Sequence, residues 1–401
     1  MFERPRYIEQ LNRLRGKHII KVLTGVRRCG KSTLFKLFQR RLRAEGVEDR
    51  QIHSMNFEDL DLQSQHYSEI YKKLNAALLP ESTNYIFLDE VQQIPHFEKI
   101  IDSLFIKDNV DVYVTGSNAF LLSGELATLL SGRYIEIHVY PLSFAEMCST
   151  IASSSKNPLN PEVTKLFSTY LTHGGFPFTA SIDDELTYRD YMNGIVDSVL
   201  IKDVLNRRHR SDTNLVQGLA RYLIDVSGNL VNPRNIANAL TSAGLKTSAE
   251  TVNDYLTDLE SAYLFYRCDR YDIAGKKYLS INSKIYPVDS GLRRALLGLK
   301  RPNRGSQLES LVFLELRRRG YDVYVGTIAN GEVDFVATKQ GVTEYYQVSE
   351  TVQNPDTYQR EVSSLKRIRN SYPKFLLTQD AEEYNDEGIQ QLNIITWLLN
   401  A

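Results

Sequence analysis

The feature that most constrains this chain is the segment 25–32, which reads GVRRCGKS and fits the pattern G-x-x-x-x-G-K-[ST] in full. A short apolar stretch precedes it at residues 19–23, and a helical pattern without Pro or Gly follows over residues 33–45. A strand, a glycine loop and a helix in this order form a phosphate site, because backbone N–H groups and the helix N-terminus converge on one anion. We therefore predict an α/β fold with a parallel sheet and a phosphate-binding loop.

The loop predicts separate roles for two of its polar side chains. Lys31 is expected to reach the β- and γ-phosphates of a nucleotide, and the Ser32 hydroxyl is expected to hold Mg²⁺. The residues predicted to contact the nucleotide are Gly25, Val26, Arg27, Arg28, Cys29, Gly30, Lys31, Ser32 and Thr33.

A pair of acids, Asp89 and Glu90, directly follows the apolar run 85–88. Four large apolar residues in a row predict a strand that is buried on both faces of a parallel sheet. Carboxylates at the carboxyl end of such a strand face the crevice where phosphates bind. We predict that Asp89 holds Mg²⁺ and that Glu90 polarises the attacking water as the catalytic base.

Two further residues are predicted to act on the γ-phosphate. The run 110–114 predicts a third strand, after which Asn118, with Ser117 as the second choice, is placed to sense the phosphate. Arg133 precedes another predicted strand and is a candidate for the cation that stabilises phosphoryl transfer in a neighbouring subunit. A surface ion pair is the alternative role for Arg133.

Several motifs in a fixed order carry a resemblance to a known family. They are the loop 24–33, NFED at 56–59, FLDE at 87–90, TGSN at 115–118, LSGR at 130–133, PLSF at 141–144 and GGFP at 174–177. With them the chain resembles a prokaryotic AAA-superfamily ATPase family, whose members carry a C-terminal domain of unknown function. The resemblance implies an AAA+-like fold of the P-loop class, ATP as the nucleotide, Mg²⁺ as cofactor, and a homo-oligomeric ring such as a hexamer.

Composition bounds the size, the compartment and the partners of the protein. A chain of 401 residues is expected to form two or three domains, and its three cysteines match no metal spacing, which favours a reducing cytoplasm. No apolar run reaches the length of a membrane span, so no membrane partner is expected. The 48 basic residues nearly balance the 49 acidic ones, but residues 1–43 hold 13 Lys and Arg against two acids. This excess indicates either a nucleic-acid surface or a solvated helix face.

Four domains are predicted along the chain. They are an AAA+-like ATPase core at 1–145, a helical lid at 146–210, a winged-helix domain at 211–300 and a restriction-endonuclease-like domain at 301–401. The lid ends in the basic cluster 207–210, which either contacts phosphates or forms a solvated helix end.

The predicted winged-helix domain has an acidic third helix. A capping box at 247–250 starts this helix, which carries Glu250, Asp254, Asp258 and Glu260. Because four carboxylates would repel a phosphate backbone, we expect the helix to bind partners or to serve as a scaffold. Any DNA contact is expected at the wing or in other domains.

The last predicted domain resembles the restriction-endonuclease-like fold, in which an Asp and a Glu hold Mg²⁺ and a Lys assists. Glu309 and Asp334 match this pattern, but Gln347 and Ser349 stand where a metal-binding Glu and the catalytic Lys are expected. Because Gln is neutral and Ser supplies no cation, we predict a catalytically inactive nuclease fold. Glu309 and Asp334 are then either residual metal ligands or buried structural carboxylates. The candidates for DNA contact are Arg317, Arg318, Arg319, Lys366, Arg367 and Arg369.

Three functions fit these features. The leading hypothesis is Mg²⁺-dependent ATP hydrolysis that drives an oligomeric AAA+-type motor or remodeller acting on DNA, including branched or junction DNA. One alternative is an ATP-dependent switch that recruits protein partners through the acidic third helix. The other is an ATP-powered DNA nuclease.

Overall fold

The computed structural model describes residues 2–119, 132–149, 160–205, 212–298, 303–329 and 331–400. The chain divides into two compact units, Met1–Tyr140 with Ser261–Tyr263, and Pro141–Glu260 with Leu264–Ala401. The predicted basic cluster 207–210 lies outside the described residues, as do Leu130 and Ser131 of the predicted LSGR motif. Within the described ranges, the helices are too short or too polar to span a bilayer.

The first unit is built around a parallel sheet of five strands in the order β2-β3-β4-β1-β5. The strands are β1 Ile20–Thr24, β2 Ile52–Asn56, β3 Asn84–Asp89, β4 Val110–Thr115 and β5 Tyr134–His138. The helices are α1 Pro5–Leu14, α2 Lys31–Ala44, α3 Leu60–Gln63, α4 Tyr67–Ala77 and α5 Phe97–Phe105, and short 3₁₀ turns lie at Asp49–Gln51 and Val91–Gln93. The predicted parallel sheet is confirmed.

Helices cover both faces of this sheet. Every residue of β1, β3 and β4 is buried, as in a parallel sheet that helices cover on both faces. Two of the charged residues among them, Lys21 of β1 and Asp111 of β4, form an ion pair with each other. On one face Ile86 packs in a cluster with Ile100 of α5. On the other face the Phe87 ring stacks on Tyr113 with ring centres 4.8 Å apart, and both rings contact Phe38 of α2. This two-sided packing fixes the strand ends that carry the candidate site.

The second unit contains a mixed sheet of nine strands in the order β13-β14-β12-β11-β10-β9-β7-β8-β6. The strands are β6 Leu230–Val231, β7 Phe265–Asp272, β8 Lys277–Pro287, β9 Asp322–Ile328, β10 Gly331–Lys339, β11 Val342–Val348, β12 Lys374–Thr378, β13 Tyr384–Asp386 and β14 Ile389–Asn393. The helices are Phe144–Cys148, Pro161–His173, Glu185–Val199, Thr213–Asp225, Pro233–Ser242, Ala249–Ser261, Gly291–Leu297, Arg304–Arg318, Pro355–Lys366 and Ile394–Leu399. A 3₁₀ turn lies at Pro177–Ser181, and a π-helical turn at Leu200–Val204 extends the third of these helices.

The strands of the predicted wing and those of the predicted nuclease-like domain lie in one sheet. β7 and β8 form an antiparallel hairpin, and β7 also pairs in parallel with β9, where Arg270 stands opposite Val325. The sheet therefore runs across residue 300, the predicted domain boundary. The winged-helix and nuclease-like folds, and the division into four domains, stay predictions.

The Gly-Gly-Phe-Pro motif forms a tight turn that is held by Asp289. The Asp289 carboxylate accepts hydrogen bonds from Gly175 N at 2.6 Å and from Gly291 N at 2.8 Å. A Cβ at residue 174 would lie 1.7 Å from Asp289 Oδ1, so Gly174 is required by the close approach of this side chain. Burial raises the pKa of Asp289 to about 6, although the two backbone N–H groups oppose the rise.

Candidate functional site

The strand order brings the phosphate loop and the acid pair to one edge of the sheet. β4 lies between β3, which ends at Asp89, and β1, which leads into the loop. The loop turns into α2 through Gly25 and Gly30, whose φ values are 136° and 105°. A Cβ at residue 25 would lie 2.2 Å from Val139 O, so a side chain has no room there. The predicted order of strand, loop and helix is therefore present.

The Lys31 ammonium joins this loop to the acid pair. It donates hydrogen bonds to Gly25 O at 2.9 Å and to Val26 O at 3.2 Å, and it lies 3.6 Å from Glu90 Oε1. The Lys31 side chain is only 3% exposed. Because Lys31 is the first residue of α2, its charge adds to the partial positive charge of the helix N-terminus. The Lys31 charge and the N-terminus of α2 together favour the binding of a polyphosphate.

Ser32 and Asp89, the predicted metal ligands, are hydrogen-bonded to each other. Asp89 Oδ1 also accepts a hydrogen bond of 2.5 Å from Thr115 Oγ1. Burial raises the pKa of Asp89, and the hydroxyl groups of Ser32 and Thr115 oppose that rise. A hydroxyl and a carboxylate in contact are the hard oxygen donors that Mg²⁺ prefers, so this donor set fits Mg²⁺ bound with a nucleotide.

Glu90, the predicted base, directly follows β3 in a left-handed backbone conformation with a φ of 54°. Its N–H donates a hydrogen bond to Thr115 Oγ1 at 2.9 Å. Burial alone would raise the pKa of Glu90, but the Lys31 charge, the Gln92 hydrogen bond and the Arg27 charge outweigh burial and lower it. The carboxylate is therefore ionised at neutral pH, as a proton acceptor must be.

The remaining predicted nucleotide contacts share the loop and the first turn of α2. They are Val26, Arg27, Arg28, Cys29 and Thr33. A residue from outside the loop fixes its backbone, since the Arg4 guanidinium donates to Cys29 O at 3.1 Å and to Tyr140 O at 2.9 Å. The Cys29 thiol is buried inside the loop, and burial raises its pKa. A buried thiol of this kind is unreactive, so Cys29 has a packing role.

Ser117 and Asn118, the predicted phosphate sensors, are buried just beyond the end of β4. The Ser117 hydroxyl hydrogen-bonds to Glu90 and accepts a hydrogen bond of 3.2 Å from Gln92 Nε2. β4 separates the loop strand from the acid strand, so both side chains follow the strand between the two halves of the site. The second choice for the sensor, Ser117, contacts the predicted base directly.

Arg133 lies at the opposite end of β1 from the loop of its own chain. Its carbonyl oxygen accepts a hydrogen bond of 2.8 Å from Ile20 N, where β1 begins. The length of β1, roughly 13 Å, therefore separates Arg133 from the loop. The guanidinium is 47% exposed and donates to Asp102 Oδ1 at 2.9 Å. Arg133 does not meet Lys31 or Glu90 within this chain.

Three residues of the site are not predicted by the sequence. Thr115 bonds to both acids, Gln92 bonds to Glu90, and Arg4 holds the loop backbone. The position of Thr115 at the carboxyl end of β4 is a signal in the sequence, since hydroxyl groups at such strand ends face the same crevice as Asp89. Arg4 lies far from the loop in sequence, and no pattern marks it.

The chain is similar to known proteins over its whole length. Residues 17–148 match a family described as an AAA domain, and residues 164–303 match a domain of unknown function (DUF8612). An uncharacterized protein of Haemophilus influenzae is 40% identical over 402 residues, which is 100% of this chain and 99% of that protein. The chain belongs to the family of this Haemophilus influenzae protein.

Two further proteins are similar to most of this chain. An uncharacterized protein of Methanocaldococcus jannaschii is 29% identical over 389 residues, 94% of this chain and 84% of that protein. A solved Walker-type ATPase of Pyrococcus abyssi is similar over 74% of this chain and 96% of its own, with a TM-score of 0.50 and 15% identity. At that identity the likeness shows the fold alone. The predicted AAA-like fold of the P-loop class is confirmed.

The second unit of the chain contains a largely buried cluster of charges around Lys284 of β8. The Lys284 ammonium lies 2.8 Å from Glu309 Oε1, 2.6 Å from Glu332 Oε1 and 3.8 Å from Asp334 Oδ1, and the Lys284 side chain is 4% exposed. Tyr286 OH donates to Glu309 Oε1 at 2.6 Å. Burial and the Glu309 charge raise the pKa of Asp334 to about 8, although Lys284 opposes the rise. The ammonium group of Lys284 thus lies close to the carboxyl groups of both Glu309 and Asp334.

Gln347 and Ser349 take different positions relative to this cluster. Gln347 Oε1 accepts a hydrogen bond of 3.3 Å from Asp334 N, whereas Ser349 Oγ donates to Thr351 O at 3.1 Å. Across the described part of the chain, no group of three or more His, Cys, Asp or Glu side chains is arranged to hold a metal ion. The contacts of Glu309 and Asp334 with Lys284 favour a structural role for these two carboxylates over a role as residual metal ligands.

The predicted DNA-contact residues of the same region differ in burial and in their ion pairs. Arg318 and Arg319 both donate to Glu315, and Arg318 is buried. Lys366 forms ion pairs with Asp386 and Glu387. The side chains that remain exposed at this surface are Arg317, Lys366, Arg367 and Arg369.

Proposed function

We propose that this chain binds ATP with Mg²⁺ at residues 25–33 and hydrolyses it. The observation that carries the proposal is the contact between the loop and the acid pair, in which Lys31 lies 3.6 Å from Glu90 Oε1 and Ser32 is bonded to Asp89. The match of residues 17–148 to an AAA domain supports the same assignment. Two sequence-distant motifs therefore combine into one site of the kind that phosphoryl transfer requires.

Each side chain of the proposed site has one task. Lys31 and the start of α2 neutralise the charge of the β- and γ-phosphates. Ser32 and Asp89 hold Mg²⁺, which when bound withdraws negative charge from the phosphates. Glu90 takes a proton from the attacking water, and Asn118 senses the γ-phosphate.

Turnover measurements on matched variants test this assignment. Glu90→Gln should lower kcat by about 100-fold or more while ATP still binds, because loss of the base leaves the phosphate site intact. Lys31→Ala should weaken nucleotide binding, because it removes the buried cation of the loop. Glu81→Gln alters an exposed carboxylate and should leave turnover unchanged. Undiminished hydrolysis in Glu90→Gln or Lys31→Ala would refute the site.

The proposed active form is a homo-oligomeric ring in which Arg133 stabilises phosphoryl transfer in the site of a neighbouring subunit. The position of Arg133, at the far end of β1 from its own loop and 47% exposed, supports a role outside its own site. A cation supplied by a neighbour makes hydrolysis depend on assembly.

Mixing two inactive variants tests this sharing of sites. Lys31→Ala lacks a working loop but keeps Arg133, and Arg133→Ala keeps the loop but lacks the cation. Mixed oligomers should regain part of the activity, because a Lys31→Ala subunit supplies Arg133 to the intact loop of its neighbour. Mixed oligomers that form and stay inactive would contradict the proposal.

We propose that this ATPase acts on DNA, which the C-terminal part of the chain moves or remodels. The four-domain division, with a lid at 146–210, a winged helix at 211–300 and an inactive nuclease-like domain at 301–401, is retained within this proposal. Exposed cations in two regions support a polyanionic partner. They are Arg6, Arg13, Lys17 and Lys36 in the first unit, and Lys276 and Lys277 at the β7–β8 turn.

Binding measurements across a salt series test whether the protein acts on DNA. The ligands are single-stranded, double-stranded and branched DNA. A DNA ligand should show a steep loss of affinity with salt, because bound phosphates release counterions. Absence of binding at low salt would favour the switch that recruits proteins through the acidic helix Ala249–Ser261. Plasmid cleavage with Mg²⁺ or Mn²⁺ that disappears in Asp334→Ala would instead support the nuclease.

A further inference from the structure

Gln92 holds one oxygen of the Glu90 carboxylate. Its Nε2 donates hydrogen bonds to Glu90 Oε2 at 2.6 Å and to Ser117 Oγ at 3.2 Å. The other carboxylate oxygen, Glu90 Oε1, lies 3.6 Å from Lys31 Nζ. Since the two oxygens have different partners on different elements, the plane of the Glu90 carboxylate is fixed.

The orientation of the Gln92 amide follows from its partners. A carboxylate only accepts hydrogen bonds, so the NH₂ group must face Glu90, and its two hydrogens are used by Glu90 and Ser117. Gln92 Oε1 is buried and accepts no hydrogen bond from any residue in the described ranges. A buried carbonyl oxygen without a donor costs free energy, so its retention in a site needs a physical reason.

The backbone around Gln92 is bent so that this contact can form. Glu90 has a left-handed φ of 54°, and the 3₁₀ turn Val91–Gln93 follows at once. A non-glycine residue adopts this conformation at a cost in free energy and keeps it only where its surroundings determine it. The bend allows the residue two positions after the base to reach the carboxylate.

We propose that Gln92 is a positioning residue of the ATPase site, which orients Glu90 through the hydrogen bonds that its Nε2 donates to Glu90 and Ser117. This inference rests on the proposed role of Glu90 as the base. It adds a link between Glu90 and Ser117, so the orientation of the base depends on the segment after β4. Glu90 then meets the water along one direction only.

Gln92→Met tests the proposal, because methionine has nearly the same length and makes no comparable hydrogen bond. We expect kcat to fall by about 10- to 100-fold, as for a misplaced catalytic group, while KM and the dissociation constant of a fluorescent ATP analogue change less than about threefold. Gln93→Met, in the same turn, should match the native protein in all three measurements.

The outcomes separate this inference from the proposed function. Native kcat in Gln92→Met, together with an inactive Glu90→Gln, overturns the inference and leaves the ATPase site standing. An active Glu90→Gln overturns the ATPase site itself. If Gln92→Met does not fold or bind nucleotide, the isosteric Gln92→Glu decides, because a carboxylate cannot donate a hydrogen bond to Glu90 and should lower kcat with KM changed less than about threefold. A native kcat in Gln92→Glu overturns the inference.

Discussion

A single hydroxyl, that of Thr115, contacts both acids of the nucleotide site. It donates to Asp89 Oδ1 at 2.5 Å and accepts from Glu90 N at 2.9 Å, and Thr115 is fully buried. Thr115→Val keeps the shape of the side chain and removes both hydrogen bonds. We expect the free energy of unfolding to fall by about 1–3 kcal/mol, because a buried N–H loses its acceptor. The Mg²⁺ concentration for half-maximal ATP hydrolysis should rise, because Asp89 loses a donor that orients it.

Denaturant unfolding and Mg²⁺ titration of turnover check this expectation. Thr115→Ser retains the hydroxyl and should restore the native Mg²⁺ requirement. A Mg²⁺ requirement that is the same in Thr115→Val and in the native protein would show that the hydroxyl has no part in orienting Asp89.

The acids of the site could be predicted from sequence, whereas their neighbours could not. Asp89 and Glu90 follow an apolar run, so their place at the end of a buried strand depends only on local sequence. Thr115 and Gln92 reach them through the pairing of β3 with β4 and through the left-handed backbone of Glu90. The pairing brings together residues 25 positions apart, and no sequence pattern marks the left-handed conformation of Glu90.

The hairpin β7–β8 is joined to the rest of its sheet by the charge cluster around Lys284. Lys284→Met removes the cation and leaves Glu309, Glu332 and Asp334 close together in a largely buried site. We expect the free energy of unfolding to fall by about 3–5 kcal/mol near neutral pH, as for other buried pairs that lose one partner. The loss should shrink as pH falls, because protonation of the carboxylates in the folded state removes their mutual repulsion.

Urea unfolding of Lys284→Met and the native protein between pH 5 and pH 8 measures this effect. Lys277→Met changes an exposed lysine on the same strand and should alter stability by less than about 0.5 kcal/mol at every pH. A stability loss in Lys284→Met that is small, or that grows toward low pH, would contradict a structural role for the cluster.

The two strands of this hairpin could be predicted from the sequence, but their place in the nine-stranded sheet could not. The strand-like stretches 264–267 and 277–280 predict the two strands of the wing, and they lie within or beside β7 and β8. The parallel partner of β7 is β9, which lies about 50 residues further along the chain, and the intervening helices do not indicate this pairing. A hairpin that its sequence predicts to be a wing is thus part of a larger sheet.

Across the whole chain, the first unit was easier to predict than the second. Its sheet is parallel, with helices in each of the connections from β1 to β4, so the phosphate loop at 25–32 identifies the fold from one short motif. The second unit draws its nine strands from residues 230–393 and pairs them in both directions. No short motif encodes such a sheet, because its pairings are set by packing between distant segments.

The stability of the second unit should depend on the ionisation of Asp289, which holds the turn at Gly174 and Gly175. Burial raises the pKa of Asp289 from its ordinary 3.8 to about 6, so the folded state binds the Asp289 proton more tightly than the unfolded state. The stability from this proton is fully present below about pH 3.8 and is lost as pH rises through about 6. The total change corresponds to about 3 kcal/mol at most.

Comparison with Asp289→Asn isolates this effect, because all other groups titrate equally in both proteins. The free energy of unfolding of the native protein, minus that of Asp289→Asn, should decrease as pH rises from about 4 to 7. Urea unfolding across this range measures the difference. Asp190→Asn, which changes a carboxylate that is 68% exposed, should give a nearly constant difference. A difference for Asp289→Asn that stays constant or increases with pH would mean that Asp289 is ionised throughout, and that the N–H groups of Gly175 and Gly291 outweigh its burial.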